Sequence, residues 1–193
     1  MDDGQVLEPF EFGRADRAAI GEVASADSAL HTRPASVQDA AAITAIYNQA
    51  IADRLATFEA EPRSPGQILQ WIDGDLPVVV ACRPSGEVVG FAAAQVSADR
   101  GAQAGVGEFS AYARRDWRGH DADDVALDAL IDAARDAGLW KLLAHLLPDN
   151  AAARALARRH GFKEVGVLEK HGRIDGAWRD CVIVERLLPE NLA

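Results

Sequence analysis

From about residue 33 onward, the apolar positions switch repeatedly between helical and extended spacing, and this alternation marks out the elements. "TRPAS" closes a first strand. In "SVQDAAAITAIYNQAIADR" the residues Ile43, Ile46, Tyr47 and Ile51 recur at helical spacing behind Ser36 and Asp39, which stand at capping-box separation, so a helix opens there. "SPGQILQWIDGD" sets Pro65 at a first helical position after Ser64 and predicts a shorter helix that stops before Gly74. "LPVVVACR" and "EVVGFAAAQVSA" are β-rich runs joined by "PSG", a hairpin signal. "VGEFSAYAR" is another strand. A polar loop and a helix from Val125 to about Ala137 follow, then the strand "WKLLAHLL" and the helix "DNAAARALARRH", which Gly161 ends. "KEVGVLEKHG" and "CVIVERLL" complete an α/β chain in the order β-α-α-β-β-β-α-β-α-β-β, a mixed sheet of about seven strands flanked by about four helices.

Residues 1–32 break this rhythm, although "RADRAAIGEVASADSAL" suits a short Ala-rich helix. They carry seven acidic and two basic side chains, half of the net charge of −10. They read as an acidic extension, partly ordered at best, ahead of one domain over 33–193. With 193 residues and 49% apolar residues, one full core is expected. The negative balance excludes nucleic acid and anionic membranes as partners, since both require a basic face. No run reaches a membrane span and the N-terminus is acidic where a secretory signal is basic, so a cytoplasmic protein is expected. Cys82 and Cys181 lie in apolar stretches, which fits buried reduced thiols, and no metal is expected.

The order of elements, with a strand leading into an Arg-Gly loop that opens a helix, resembles the GNAT acyltransferases. "IYNQAI", "TFE", "GEFSAYARRDWRG", "PDNAAARALARRHGF" and "HGRIDGAWRD" are similar to segments of the phosphinothricin and amino-acid N-acetyltransferase branch. The resemblance covers about Arg33 to Leu188 and implies a twisted mixed sheet of the GNAT type. It also implies a homodimer paired through the C-terminal strands, to which "AWRDCVIVERLL" contributes. In that family the loop after the central strand reads R-G-x-G-x-G and holds the diphosphate of acetyl-CoA on its backbone N–H groups and on a helix N-terminus. The resemblance therefore assigns Ala111, Tyr112, Ala113, Arg118, Gly119, His120, Asp121, Ala122, Asp123, Asp124 and Asn150 to the acyl-CoA side.

Here the chain departs from the pattern. Asp121 and Asp123 stand where the later glycines belong. Two carboxylates there each repel a diphosphate by roughly 1–3 kcal/mol at ~5 Å. Asp is also a favoured N-cap, so the aspartates are expected to cap the helix and stand in for the anion. The family places Tyr or His four residues before its Gly-Phe pair to protonate the leaving thiolate; this chain has Ala157 there.

Glu108 matches the glutamate that takes a proton from the substrate amine, its alternative being a strand residue paired with Arg100 or Arg173. His145 is a second candidate proton carrier or a hydrogen-bonded core residue. Asn48, Phe58 and Trp178 fall on the substrate side of the resemblance, with ordinary core packing the alternative for Trp178. Asn150 has an alternative as a turn residue. Two functions stay open on these residues. One is an N-acyltransferase acting on the primary amine of a small molecule or amino acid, with weak or altered use of acetyl-CoA or another acyl-CoA. The other is a GNAT scaffold that has lost acetyl-CoA and serves as a binding protein or as an enzyme of another reaction.

Overall fold

The structure, a computed structural model, describes residues 29–54, 56–97 and 101–192. Residues 1–28 of the acidic extension, with nearly all of the stretch expected to suit an Ala-rich helix, lie outside the described residues, as does Arg100. The elements are β1 (His31–Pro34), α1 (Ala40–Asp53), α2 (Pro65–Ile72), β2 (Val78–Cys82), β3 (Val88–Val96), β4 (Val106–Ala113), α3 (Ala122–Asp136), β5 (Lys141–Leu146), α4 (Ala151–Arg159), β6 (Lys163–Ile174) and β7 (Ala177–Leu187). This is the predicted order. The seven strands form one sheet in the order β1-β2-β3-β4-β5-β7-β6, antiparallel except between β4 and β5.

Both predicted capping signals form. Asp39 ends a single 3₁₀ turn ahead of α1, and its carboxylate accepts from Ser36 N and Ser36 Oγ, each at 2.8 Å. Arg33 of β1 grips the same carboxylate at 2.7 and 2.8 Å, which leaves Asp39 only 5% exposed. The Arg33 guanidinium outweighs burial and holds Asp39 down to about 2. Ser64 and Gln67 box the start of α2 with Pro65 at its first position.

Alternation along the strands sends residues to two cores. On one face α1 and α2 lay Ile43, Ile46, Tyr47, Ile51 and Ile68 on Val78, Val80, Phe91 and Ala93. On the other, Leu127, Leu130 and Ile131 of α3 and Leu156 of α4 cover Ala92, Ala94, Phe109, Leu142, Val182 and Val184. Helix α3 starts at Ala122, earlier than the predicted Val125, because Ala122 is fully buried against β3. A Cβ on Gly90 would stand 2.8 Å from the Ala122 carbonyl oxygen, so only glycine admits this approach.

The last two strands are longer than predicted and turn at Asp175–Gly176, so the "GAWRD" stretch forms part of a hairpin. Within "AWRDCVIVERLL", Val182 and Val184 fill the core of one chain, whereas Leu187 is exposed. The exposed apolar residues here are Val165, Val167, Trp178 and Leu187. Cys82 and Cys181 are buried free thiols, as read. No helix among the described residues is long and apolar enough to cross a membrane.

Candidate active site

Strands β4 and β5 pair only from Val106 to Glu108 against Lys141 to Leu143, although β4 runs on to Ala113 and β5 to Leu146. Past Glu108 they separate, and a cleft of about 310 Å³ opens between them. That volume lies at the lower end of ordinary ligand sites. Phe109 to Ala113 form one wall and Ala144 to Leu146 the other, with Arg118, Gly119 and Asp123 at the start of α3 and Asn150, Ala153 and Leu156 from α4.

Of the residues assigned to the acyl-CoA side, Ala111, Tyr112, Ala113, Arg118, Gly119, Asp123 and Asn150 line the cleft; His120, Asp121, Ala122 and Asp124 do not. Gly119 has φ 81°, the left-handed conformation that glycine supplies cheaply. Arg118 is paired with Asp53 at the end of α1 at 2.6 Å, and Arg115 holds the same carboxylate at 2.6 Å. Arg115 first, and then Arg118, keep Asp53 below the usual carboxylate range. His120 lies edge-on to Trp117, and the Ala122 side chain belongs to the core.

The three aspartates do three different things. Asp121 is exposed, adopts φ 58° and makes no side-chain cap bond, so the expected capping role is corrected: it occupies a left-handed position where the family has glycine. Asp124 turns away to Arg159 at 2.6 Å and His160 at 3.3 Å. Burial opposes its charge, yet these two partners keep it below the carboxylate range. Asp123 alone borders the cleft. Burial pushes its carboxyl above the usual range, against the pull of the N–H groups of residues 123 and 124 at the helix start.

On the opposite side, Glu108 Oε1 lies 2.8 Å from His145 Nδ1. With Glu108 ionised, Nδ1–H donates, which fixes the tautomer and the ring plane. Glu108 opposes Leu143, two residues before His145, so both side chains leave the same sheet face. Arg173 is not the partner of Glu108; it donates to Gly176 O and stacks on Trp178 with 5.4 Å to the ring centroid.

The substrate-side assignments scatter. Asn48 joins α1 to Arg63 through both of its amide groups, at 2.9 and 2.8 Å, and thereby shapes the loop before α2. Phe58 packs edge-on to His171 at 5.7 Å. Trp178 is 59% exposed and does not line the cleft, which corrects the core-packing alternative. Asn150 caps α4 by accepting from Ala153 N at 3.0 Å while it also borders the cleft. Ala157 is buried in the core and offers no proton.

The sequence does not point to His171, and it marks Cys181 only as a buried thiol. The His171 ring stacks on His145 at 5.7 Å, and burial pushes the Cys181 thiol up to about 11. They meet His145 only through strand register, which no contiguous motif reports.

A mixed sheet whose two parallel strands part above a short paired base, with an Arg-Gly turn opening a helix beside the gap, defines an acetyltransferase of the GNAT class. Residues 30–163 match the family described as Acetyltransferase (GNAT) domain, and the chain belongs to it. It is 33% identical over 157 residues to the L-methionine sulfoximine/L-methionine sulfone acetyltransferase of Pseudomonas aeruginosa, covering 79% of this chain and 91% of that protein. It is 27% identical over 165 residues to the phosphinothricin N-acetyltransferase of Streptomyces coelicolor, covering 82% and 96%. A crystal structure of a GNAT superfamily phosphinothricin acetyltransferase from Sinorhizobium meliloti in complex with AcCoA superposes with a TM-score of 0.77 at 28% identity, covering 82% and 88%. These relatives favour acetyl transfer over the reading of a scaffold that has lost it.

Proposed function

We propose that this chain transfers an acetyl group from acetyl-CoA to the α-amine of a small amino acid of the methionine sulfoximine or phosphinothricin kind. The observation that carries this reading is the Glu108–His145 pair, set where β4 and β5 part, with His145 lining the cleft. The cleft suits a long acyl donor: its walls are mainly apolar, and Arg118 and Gly119 stand at a helix N-terminus for a phosphate. Bound acetyl-CoA supplies an activated acyl carbon. Glu108 removes a proton from the acceptor ammonium, and His145 orients the carboxylate and bears part of the proton. Asp123 works against the donor, so affinity for CoA is lower than a glycine in its place would allow. The reading includes a cytoplasmic homodimer and an acidic N-terminal extension over residues 1–32.

The test is acetylation of L-methionine sulfoximine, followed by release of free CoA thiol. Glu108→Gln keeps the side-chain shape and is expected to lower turnover by roughly 100-fold or more. A variant that retains full turnover where chemistry limits the rate removes Glu108 from the reaction. A wild-type chain that neither binds acetyl-CoA at millimolar concentration nor acetylates any amino acid overturns the whole reading.

A further inference from the structure

The sheet face that bears Glu108 also carries three metal-binding side chains, two of which acyl transfer does not use. His145 on β5, Cys181 on β7 and His171 on β6 bring their donor atoms within 4.8 Å of one another. The register explains the meeting. His145 opposes Ile183, two residues from Cys181, so both project from one face. Leu168 opposes Cys181, and the irregularity between Leu168 and Gly172 swings His171 alongside.

We propose that His145, His171 and Cys181 form a site for a thiophilic divalent cation, zinc foremost, at the acceptor end of the cleft, and that occupancy inhibits the enzyme. One thiolate and two imidazoles are a zinc donor set; magnesium and calcium need oxygen. Three protein donors leave the fourth tetrahedral position for water. Glu108 at 2.8 Å from His145 Nδ1 is the carboxylate that orients a ligating histidine, and it leaves Nε2 as the coordinating nitrogen.

Bonds of about 2.0–2.3 Å set tetrahedral donors about 3.5 Å apart, so the cluster has to contract by roughly an ångström. The two rings lie 6° from parallel and do not aim at one point. His171 is exposed and its terminal torsion is soft, so its ring can turn toward the ion. Cys181 gives up its thiol proton to solvent as the sulfur–metal bond forms. The inhibitory effect rests on the proposed acetyl transfer: with an ion on His145, Glu108 is committed to the ligand histidine and the acceptor amine is displaced.

The experiment uses the untagged full chain titrated with cobalt(II), whose thiolate charge-transfer absorption reports sulfur coordination without any turnover. One equivalent per chain is expected to produce that band together with tetrahedral visible absorption. Cys181→Ser should abolish the band and Cys82→Ser, in the core beneath α1 and α2, should keep it. His171→Ala, at an exposed position, should weaken cobalt binding by more than about tenfold while the fold is kept. Zinc should displace the cobalt and inhibit acetylation, and a chelator should restore it. No charge-transfer band at millimolar cobalt, or a band unchanged in Cys181→Ser or His171→Ala, overturns the site. Zinc that leaves acetylation untouched while displacing cobalt overturns the inhibition. Because the spectrum needs no substrate, its failure is distinct from failure of the acetyl-transfer reading.

Discussion

The two halves of the sheet are covered very differently. From β2 to β4 the strands lie between helices on both faces, and β2 is buried along its whole length. From β5 to β6 the face toward α3 and α4 is packed with core residues, and the other face is half-buried except at buried Cys181. The edge strand, β6, is exposed at most of its positions. A strand buried on both faces has its residues dictated by packing. A strand only half-buried on one face can carry whatever function requires. Glu108 stands on the junction: it is fixed by the closed half and faces the open one.

The largest expected effect breaks the closed half. Asp39→Asn removes the charge that ties β1 to α1 and should lower stability at neutral pH by about 2 kcal/mol, measured by urea unfolding. The sign with pH follows from the depressed carboxyl. Asp39 is lowered from 3.8 to about 2, so its contribution is complete above about pH 4 and is lost as pH falls through about 2. The variant should lack that acid limb. Equal stability at neutral pH would mean that the pair does not secure the first strand.

On the open half, two copies are proposed to pair over β6 and β7. Val167→Lys places a charge on the bare strand and should weaken association by about tenfold or more, roughly 1.4 kcal/mol, read by sedimentation. A wild-type chain that sediments as a 20.6 kDa monomer at micromolar concentration removes the pairing. The smallest effect falls at the junction with the donor. Asp123→Asn should tighten CoA binding about fivefold, close to 1 kcal/mol, by removing one like charge. Since burial raises the Asp123 carboxyl, wild-type affinity should climb as pH falls, and the variant's profile should be flatter; calorimetry at several pH values decides it. Identical profiles would clear Asp123.

The closed half was legible in the sequence because its signals are local. Ser36 with Asp39, and Ser64 with Pro65, stand at fixed offsets, and the runs "VVVAC" and "VVGFAAAQV" are continuous because both faces are buried. The start of α3 was misjudged because Ala122 is small and looks neutral in a periodicity; what it packs on, Gly90, is remote in the chain. Asp121 was read as a cap from residue preference alone, whereas its backbone is left-handed, a conformation Asp tolerates. Glu108, Arg118 and Gly119 sit in contiguous stretches and were found. His171 and Cys181 are joined to His145 by register across three strands, a relation that one sequence does not print.

The short pairing of β4 with β5 leaves two strand edges inside the molecule. Past Glu108 and Leu143, main-chain N–H and C=O groups of both strands point toward the gap with no strand between them among the described residues. Bare edges on a protein's rim recruit other chains and lead to aggregation. Here they face each other across the cleft, bordered by residues of α1, α3 and α4. Such facing edges offer a slender, amide-bearing ligand the same main-chain pairing that an added strand would make.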